Sequence, residues 1–482
     1  MIRTECPLPG ICDSDTTING DINGDGAPDI TLNGVALSFV DAGLMILSSR
    51  NTVKGLRLEQ FFAVGVRIFH AVGISSSAPK ISENTIQGNI IVGGGAAGIL
   101  VEAGSTPGFP GRVDNTKILG NLVSAFGTGI GVFTGDAAGS SVDSTTIAGN
   151  SSSFSLFSIH LFTNLSAAGS NTSLTNTNVT DNTVSGSIIG IAVNPFAGDY
   201  NTLTGVTIAR NEVSGCHPGI LVEGGDTAST GNLLNVTIKE NIVHDNSNPG
   251  SIAGIAVLGG NLSSSGNDVR ARLFKNVVTD NTGHGIVVIG GLENSSSNSV
   301  NAKIHDSTVE RNDGDGIGAL GGLGASPFLS GTSNDNVLDV EINGNTVSDH
   351  TRDGIAVSSG LGSLDGHAEA IANNNQVNAQ VNNNTVEDSG NRGIGISAGS
   401  SGLASSNQLS AEVVKNQACN SGTADIQVFG GFPGDASFPP NSGIGNVAQA
   451  NVTKNTATTI AAANGVAGNF AFVTLSNNVP CP

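Results

Sequence analysis

A pattern of about 30 residues that recurs along most of the chain constrains the fold more than any other feature. Each copy begins with a glycine, or with serine or aspartate in two copies. An isoleucine or valine follows, and then alternating apolar residues. Copies begin at Gly65, Gly98, Gly129, Ser158, Gly190, Gly219, Gly254, Gly285, Gly316, Gly354, Gly393 and Asp425, so the spacing runs from 29 residues (129 to 158) to 39 (354 to 393). Repeats of this length predict a solenoid in which every repeat packs only on its neighbours.

A second landmark is a single polar position between two short apolar segments of each repeat. It is occupied by Asn84, Asn121, Asn150, Asn182, Asn211, Asn241, Asn276, Ser307, Asn345, Asn384, Asn416 and Asn455, so eleven of the twelve residues are asparagine. Stacked asparagines at one turn can form a ladder of amide hydrogen bonds. The apolar segments, such as 236–238, 242–243 and 254–257, are too short to be stable except in parallel ladders with the repeats above and below.

These features predict an all-β parallel β-helix of about 12 coils, each coil being one turn with three short strands. We expect an N-terminal cap over residues 1–35, the β-helix over 36–475 and a C-terminal tail over 476–482. A β-propeller needs a period of roughly 40 residues or more, and a leucine-rich repeat needs a leucine framework. Neither pattern is present.

The repeat over about residues 30–475 resembles the right-handed parallel β-helices of the pectate-lyase-like superfamily. That resemblance implies a right-handed solenoid. It does not select a function, because the superfamily includes pectate lyases, polygalacturonases, alginate lyases and epimerases, phage tailspikes and non-catalytic surface proteins.

Composition narrows the environment and the partners. The formal net charge is −20, which argues against binding to nucleic acid or to an anionic membrane surface. No apolar run approaches the ~20 residues that span a bilayer. We expect an extracellular or cell-surface protein; because residues 1–10 lack the apolar segment of a signal peptide, this would be a mature or trimmed chain.

Five cysteines leave at least one thiol outside a disulfide. Cys6 and Cys12 are close enough in sequence to close a small loop. Cys216 and Cys419 lie six coils apart, roughly 29 Å at ~4.8 Å per coil, and this exceeds the ~7 Å limit for a disulfide. Pairing of Cys481 with either Cys419 or Cys12 stays open, and Cys216 is expected to be a buried small hydrophobe.

Residues 21–29 (DINGDGAPD) match a calcium-binding loop. Asp21, Asn23, Asp25 and Asp29 supply side-chain oxygens at positions 1, 3, 5 and 9, Ala27 supplies a carbonyl at position 7, and glycine stands at the tight sixth position. Leu32 stands where an EF-hand has its bidentate glutamate. We therefore predict a structural Ca²⁺ that orders the first coil, against the alternative of a plain Asp/Asn/Gly turn.

Two neighbouring columns carry charge. The residue before the landmark glycine is His284, Asp315, Asp353 and Arg392 in four consecutive coils, whereas the earlier coils are mostly apolar there. Stacked at ~4.8 Å, Asp315 and Asp353 would lie near the separation used by retaining glycosidases. A second column contains Asp245, Asp280, Arg311, Asp349 and Asp388, where Arg311 can neutralise the acids next to it.

The segment Gly283-His284-Gly285 resembles the Gly-His-Gly motif of polygalacturonases. That resemblance implies catalytic aspartates in the same column one and two coils earlier, where this chain has Ala253 and Pro218. The catalytic acids of that family therefore have no counterpart here. Asp-Gly and His-Gly before a strand are also common turn sequences.

Two functions follow from these residues. The first is a secreted or cell-surface scaffold or adhesive protein that contacts polysaccharide or assembles with itself end to end. The alternative is a hydrolase or lyase of acidic polysaccharide with Asp315, Asp353 and His284 as catalytic groups and Arg311, Arg392, Asp280 and Asp349 binding substrate. The scarcity of Trp and Tyr favours the first, and an ice-binding surface is a weaker third option because no regular Thr-x-Thr array appears.

Overall fold

The computed structural model is a parallel β-solenoid of about 13 turns, with no helix among the residues that it describes, which confirms the predicted fold class. No segment of the described chain forms a helix long and apolar enough to cross a membrane. The chain forms two compact units, described separately: unit 1 (Met1–Leu221 with Asn235–Thr237) and unit 2 (Val222–Leu234 with Ile238–Pro482). The structure describes residues 1–4, 7–37, 42–70, 80–104, 108–164, 170–246, 252–326, 329–361, 371–399, 403–431, 444–463 and 468–481.

Unit 1 has three sheets, which we name A, B and C in both units. Its strands are, in sheet A, Ile2–Arg3, Ile30–Asn33, Leu56–Glu59, Ile90–Val92, Leu122–Ser124, Ser151–Ser153, Thr183–Ser185 and Glu212–Ser214; in sheet B, Ala42–Ile46, Val64–His70, Ala97–Ala103, Thr128–Phe133, Phe157–Thr163 and Ile189–Pro195; and in sheet C, Thr17–Asn19, Thr52–Lys54, Ile81–Ser82, Thr85–Gln87, Arg112–Asp114, Lys117–Leu119, Ser141–Asp143, Thr146–Ala148, Ser173–Thr175, Asn178–Thr180 and Thr202–Ala209. Two further strands, Ile220–Glu223 and Leu233–Lys239, contain residues of both units.

Unit 2 repeats this plan, but sheet C consists of unbroken strands of seven residues. Its strands are, in sheet A, Ile242–His244, Val277–Thr279, Thr308–Glu310, Thr346–Ser348, Thr385–Glu387 and Gln417–Cys419; in sheet B, Ala253–Leu258, His284–Ile289, Ile317–Leu320, Ile355–Ser358, Arg392–Ser397, Ala424–Phe429 and Ile460–Ala463; and in sheet C, Asp268–Phe274, Ser299–His305, Val337–Asn343, Gln376–Asn382, Gln408–Val414, Val447–Thr453 and Phe470–Ser476. A smaller parallel sheet contains Ser295–Ser296, Thr332–Asn334, Ile371–Asn373 and Leu403–Ser405, and Ala325–Ser326 pairs antiparallel with Leu329–Ser330.

The glycine-isoleucine landmarks are in register. In unit 2, Ile286 pairs with Ile317, and the ladder continues through Ile355 and Ile394 to Ile426. The glycine is needed because coils approach closely: a Cβ on Gly285 would lie 2.3 Å from a Val309 methyl and 2.7 Å from the Gly316 carbonyl oxygen. The β-branched residues of the ladder fill the interior, fully buried.

The asparagine ladder exists, but its first member was misassigned. Asn121 accepts from the backbone N–H and the amide of Asn89, at 3.0 Å each, rather than from Asn84. The strand Thr85–Gln87 pairs with the strand Lys117–Leu119. Asn84 precedes the first of these strands, whereas Asn121 follows the second, so the two asparagines lie at different corners. Asn84 instead accepts from the backbone N–H of Asn51 at 2.8 Å.

Two more ladders in unit 2 were not predicted. One contains Asn232, Asn267, Asn298, Asn336, Asn375, Asn407, Asn446 and Asn469, and the other contains Asn246, Asn281, Asn312 and His350. Their members are buried. Each coil of unit 2 is thus joined to the next by amide hydrogen bonds at several corners as well as by the strands.

Both ends of the chain pair with neighbouring coils. Ile2–Arg3 pairs with Ile30–Asn33 in sheet A, and Phe470–Ser476 pairs with Val447–Thr453 in sheet C. Cys481 forms a disulfide with Cys419, with Cα atoms 6.1 Å apart, which settles the choice between Cys419 and Cys12. The suggested loop of Cys6 and Cys12 involves Cys6, which lies outside the described residues.

Cys216 is buried as expected. Its thiol donates to the Ser214 carbonyl oxygen at 3.2 Å, and burial raises the pKa of the thiol to about 11.

The one serine in the first ladder gives a direct test of what asparagine contributes. Ser307 is buried, accepts from the Asn276 N–H at 3.3 Å and donates to the His305 carbonyl oxygen of its own coil at 3.1 Å, whereas Asn345 in the next coil donates between coils, to the Ile304 carbonyl oxygen at 2.9 Å. We predict that Ser307→Asn stabilises the protein by about 1 kcal/mol and that Asn345→Ser destabilises it by about 1–3 kcal/mol. Thermal and urea unfolding measure both, and equal losses for the two variants would contradict the role of the ladder.

Candidate functional site

The four predicted residues of the first charged column lie together where strands of sheet B begin in unit 2. The backbone N–H groups of the last three residues donate to the side chain one coil earlier: that of Asp315 to His284 Nδ1, that of Asp353 to Asp315 Oδ1 and that of Arg392 to Asp353 Oδ1, at 3.1 Å each. We call these four residues the charge column. The side chains of His284, Asp315 and Asp353 thus accept hydrogen bonds from the backbone of the next coil.

Asp353 of the charge column is also ion-paired, and Asp315 lies near two basic side chains. The Arg392 guanidinium contacts Asp353 at 2.8 Å from Nη2 and at 2.9 and 3.0 Å from Nε. Asp315 lies 3.3 Å from His284 Nδ1 and 4.0 Å from Arg352 Nε. The Asp353 and Asp315 side chains are only 4% and 12% exposed, so little of either carboxylate is open to a ligand.

Small residues allow these long side chains to lie flat on the sheet. In the adjacent outward column, Gly318 pairs with Ala356, which pairs with Gly395. A Cβ on Gly395 would lie 2.8 Å from Asp353 Oδ2 and 3.1 Å from Arg392 Nε. The glycine therefore leaves the space that the ion pair occupies.

Burial and charge act differently on the two carboxyl groups. Burial raises the pKa of Asp353 to about 6, and the Asp315 charge adds to this effect while Arg392 opposes it. Burial also acts to raise the pKa of Asp315, but His284 and Arg352 together hold it well below its usual range. Of the two carboxyl groups, Asp353 is therefore the one that takes up a proton first as the pH falls.

A small cleft lies beside the charge column. It has a volume of about 60 Å³, with Arg352 and Asn391 next to the column and Leu320, Ser358 and Ser397 further along the sheet B strands. A water molecule needs roughly 10–15 Å³ by this measure, so the cleft holds a few waters rather than a sugar ring. Sequence reasoning missed Arg352 and Asn391, although both directly precede column residues.

The second charged column lies at a corner and does not line the cleft. Arg311 contacts the two Asp280 carboxylate oxygens at 2.8 and 2.9 Å, and it contacts Glu310 at 3.0 Å. Asp280, Arg311 and Asp349 have φ of 58°, 51° and 59°, a left-handed turn conformation that aspartate tolerates. The Asp280 and Arg311 side chains are 40% and 51% exposed, as in a surface ion pair.

The predicted calcium loop joins Thr17–Asn19 to Ile30–Asn33 and is largely exposed. Asp21 accepts from the Gly24 and Gly26 N–H groups at 2.7 and 3.1 Å, and Asp29 accepts from Ile22 and Asn23 at 2.7 and 3.1 Å.

Asp25 in the same loop accepts from the Ala27 N–H at 2.8 Å. The described residues contain no group of three or more His, Cys, Asp or Glu side chains placed to hold a metal. The loop turns its carboxylates toward its own backbone, and calcium binding by Asp21, Asn23, Asp25, Ala27 and Asp29 stays a prediction.

A larger concave surface lies on the outward face of sheet C in unit 2. We call it the groove; its volume is about 470 Å³, and its polar lining residues are Asn301, Lys303, Asp339, Glu341, Asn378, Gln380, Ser410, Glu412 and Asn451. The alternation that forms it is visible in the sequence, as in Gln376–Asn382 (QVNAQVN), where exposed and buried residues alternate. Treating each long strand as two short segments hid this face.

No protein-family model matches the chain, and no curated protein matches its sequence. Among solved structures it is similar to the A-module of a mannuronan C-5 epimerase from Azotobacter vinelandii, with 13% identity over 96% of this chain and 92% of that one and a TM-score of 0.36. It is similar to a periplasmic alginate epimerase, with 13% identity over 97% and 84% and a TM-score of 0.35. A mutant of a PL6 family alginate lyase has 11% identity over 98% and 96% and a TM-score of 0.22. Likenesses of this size carry no argument about activity.

The ion pair at the centre of the charge column should be needed for stability. Asp353→Ala removes the carboxylate that three contacts join to the buried Arg392 guanidinium, and we expect a loss of about 3–5 kcal/mol at neutral pH. Asp353→Ala/Arg392→Met removes both charges and should recover most of the loss. The exposed pair provides the control: Asp280→Ala should cost no more than about 1 kcal/mol. Urea unfolding measures all three, and equal losses at the buried and exposed pairs would refute this interpretation.

Calcium binding by the loop of unit 1 can be tested in the whole protein. If Asp21 and Asp25 hold Ca²⁺, calcium should raise the melting temperature relative to chelator, because an ion that binds only the folded state stabilises it. Asp21→Ala/Asp25→Ala should abolish the shift, and Asp388→Ala, at an exposed corner of unit 2, should preserve it. A melting temperature that calcium and chelator leave unchanged would refute the prediction.

Proposed function

We propose that the protein is a non-catalytic scaffold that binds an extended polysaccharide in the groove of unit 2. The observation that carries the proposal is the groove itself, a concave face of about 470 Å³ lined by amide, carboxylate, hydroxyl and ammonium groups. Side chains of this kind pair with sugar hydroxyls, which both donate and accept hydrogen bonds.

The groove suits a linear polymer because its walls repeat. Outward residues on neighbouring strands stack in register, so that Asn301 is followed by Asp339, Asn378 and Ser410. Neighbouring strands are ~4.8 Å apart, close to the advance of one pyranose residue along an extended chain. A polysaccharide lying along the stack would therefore meet a similar set of polar groups at each sugar.

Part of this polar wall is available to a ligand. Gln380, Ser410, Glu412 and Asn451 make no side-chain hydrogen bond to any residue that the structure describes. These groups face the groove and are hydrated until a ligand replaces the water.

The enzyme alternative has one observation in its favour, which is the raised pKa of Asp353, since a general acid needs a proton near neutral pH. The contacts of that residue count against it. Asp353 is buried, accepts from the Arg392 backbone N–H and is held by three contacts to the Arg392 guanidinium. A carboxyl group this engaged would have to break the column before it could reach a sugar.

We test the proposal by calorimetric titration with galactomannan, arabinoxylan, polygalacturonate and alginate. At least one polymer should bind, and Gln380→Ala/Glu412→Ala should weaken that binding at least tenfold because it removes polar groups from the groove. The matched control Asn178→Ala/Glu212→Ala removes the same two groups from exposed strand positions of unit 1 and should leave binding unchanged.

Catalysis is followed in the same mixtures through reducing ends and the ultraviolet absorbance of unsaturated products. We expect neither to rise. Binding to none of the four polymers, or product release abolished by Asp353→Asn, would overturn the proposal of a non-catalytic polysaccharide scaffold.

A further inference from the structure

We infer that the groove selects neutral polysaccharides over those rich in uronic acid. This inference rests on the proposed function, because it names the class of polymer that the same groove takes. The charge of the lining carries it, together with an aromatic platform at the end of one wall.

The lining of the groove is acidic. It contains three acids, Asp339, Glu341 and Glu412, against one base, Lys303, so its formal charge is 1 − 3 = −2. Lys303 Nζ contacts Glu341 at 2.7 Å, and this hydrogen bond lowers the pKa of Glu341 and keeps it ionised at neutral pH. The one base of the lining is therefore already paired with one of the acids.

The other two acids are placed to repel a uronate. Asp339 accepts from the Asn378 amide at 2.8 Å, a neutral contact that leaves its charge uncompensated. Glu412 stands two coils further along, next to Ser410. A polyuronate in the groove would bring a carboxylate close to these charges at successive sugars, and like charges at such distances repel even in water.

The nearest arginines do not change this balance within the groove. Arg270 and Arg272 lie on Asp268–Phe274, one strand beyond the lining, and Arg270 contacts Asp268 at 2.8 Å. A polyuronate could meet Arg272 only at the outer end. Between Asp339 and Glu412 the lining of the groove presents carboxylates and amides.

The lining favours hydroxyl groups instead. Asn301, Asn378, Gln380 and Asn451 can each donate and accept, and a carboxylate such as Glu412 accepts from two hydroxyls at once. Hydrogen bonds to an ionised acceptor are stronger than those between neutral groups. A neutral sugar satisfies these side chains without bringing in a second negative charge.

An aromatic platform ends the wall that begins with Asn301. Gln449 is followed in register by Phe472, which is 58% exposed. Its ring stacks with Phe470 at a centroid distance of 6.3 Å and an interplanar angle of 17°. An exposed aromatic ring at the end of a polar groove can pack on the apolar face of a sugar, the face that the hydroxyl groups of the sugar do not cover.

The test compares the four polymers at physiological ionic strength in chelator and again in calcium. Wild type should bind galactomannan or arabinoxylan at least tenfold more tightly than polygalacturonate or alginate in both conditions. Asp339→Lys/Glu412→Lys should raise the affinity for the acidic polymers at least tenfold, and Phe472→Ala should weaken binding of the neutral polymer severalfold.

The control Asp349→Lys/Asp388→Lys makes the same change in net charge at exposed corners of unit 2 and should leave the preference as in wild type. Circular dichroism and melting temperature confirm that each variant is folded. Wild type that binds the acidic polymers as tightly as the neutral ones overturns this inference and leaves the proposed function standing. Binding to no polymer at all overturns the proposed function instead.

Discussion

The register of one coil on the next is the constraint on which the rest of the structure depends. Parallel strands satisfy the backbone only between coils, and buried asparagine amides fix the same register at the corners, as where Asn150 donates to Asn182 at 2.9 Å and to the Ile118 carbonyl oxygen at 2.9 Å. An unpaired amide in the core would cost more than the bond contributes. The chain therefore has one stacking register in which its isoleucines and asparagines are both satisfied.

A fixed register turns every sequence position into a column, and a column of polar residues has two outcomes. In the charge column the side chains accept from the backbone of the next coil and pair with one another, so they belong to the scaffold. In the groove the seven-residue strands hold amides and carboxylates outward, and several of these make no side-chain hydrogen bond to a described residue. Both surfaces are polar; only the second keeps polar groups that a ligand can use.

Sequence spacing predicts which residues stack but not how deeply they lie. The column of His284, Asp315, Asp353 and Arg392 was correct in register, since strong landmarks such as Ile317 and Ile355 bracket it. Its burial was not predictable, because it depends on Gly395 making room for the ion pair. Asn84 was misassigned since asparagines stand on both sides of the strand Thr85–Gln87, and spacing alone does not say which of them continues the ladder. The groove was missed because its outward residues form one continuous face only when two short apolar segments merge into one strand.

Stacking also explains why so acidic a chain carries so few charges, only 12% of its residues. A like charge repeated at ~4.8 Å in successive coils would be repulsive along the whole column. Ion pairs between coils accordingly place opposite charges in neighbouring coils, as in Arg210 with Asp181 at 2.8 Å and Lys303 with Glu341 at 2.7 Å. In the groove an amide separates two acids of the same column: Gln380 stands in register between Glu341, which pairs with Lys303, and Glu412. The amides that make the groove suitable for hydroxyl groups are therefore also the residues that let its carboxylates coexist in one stack.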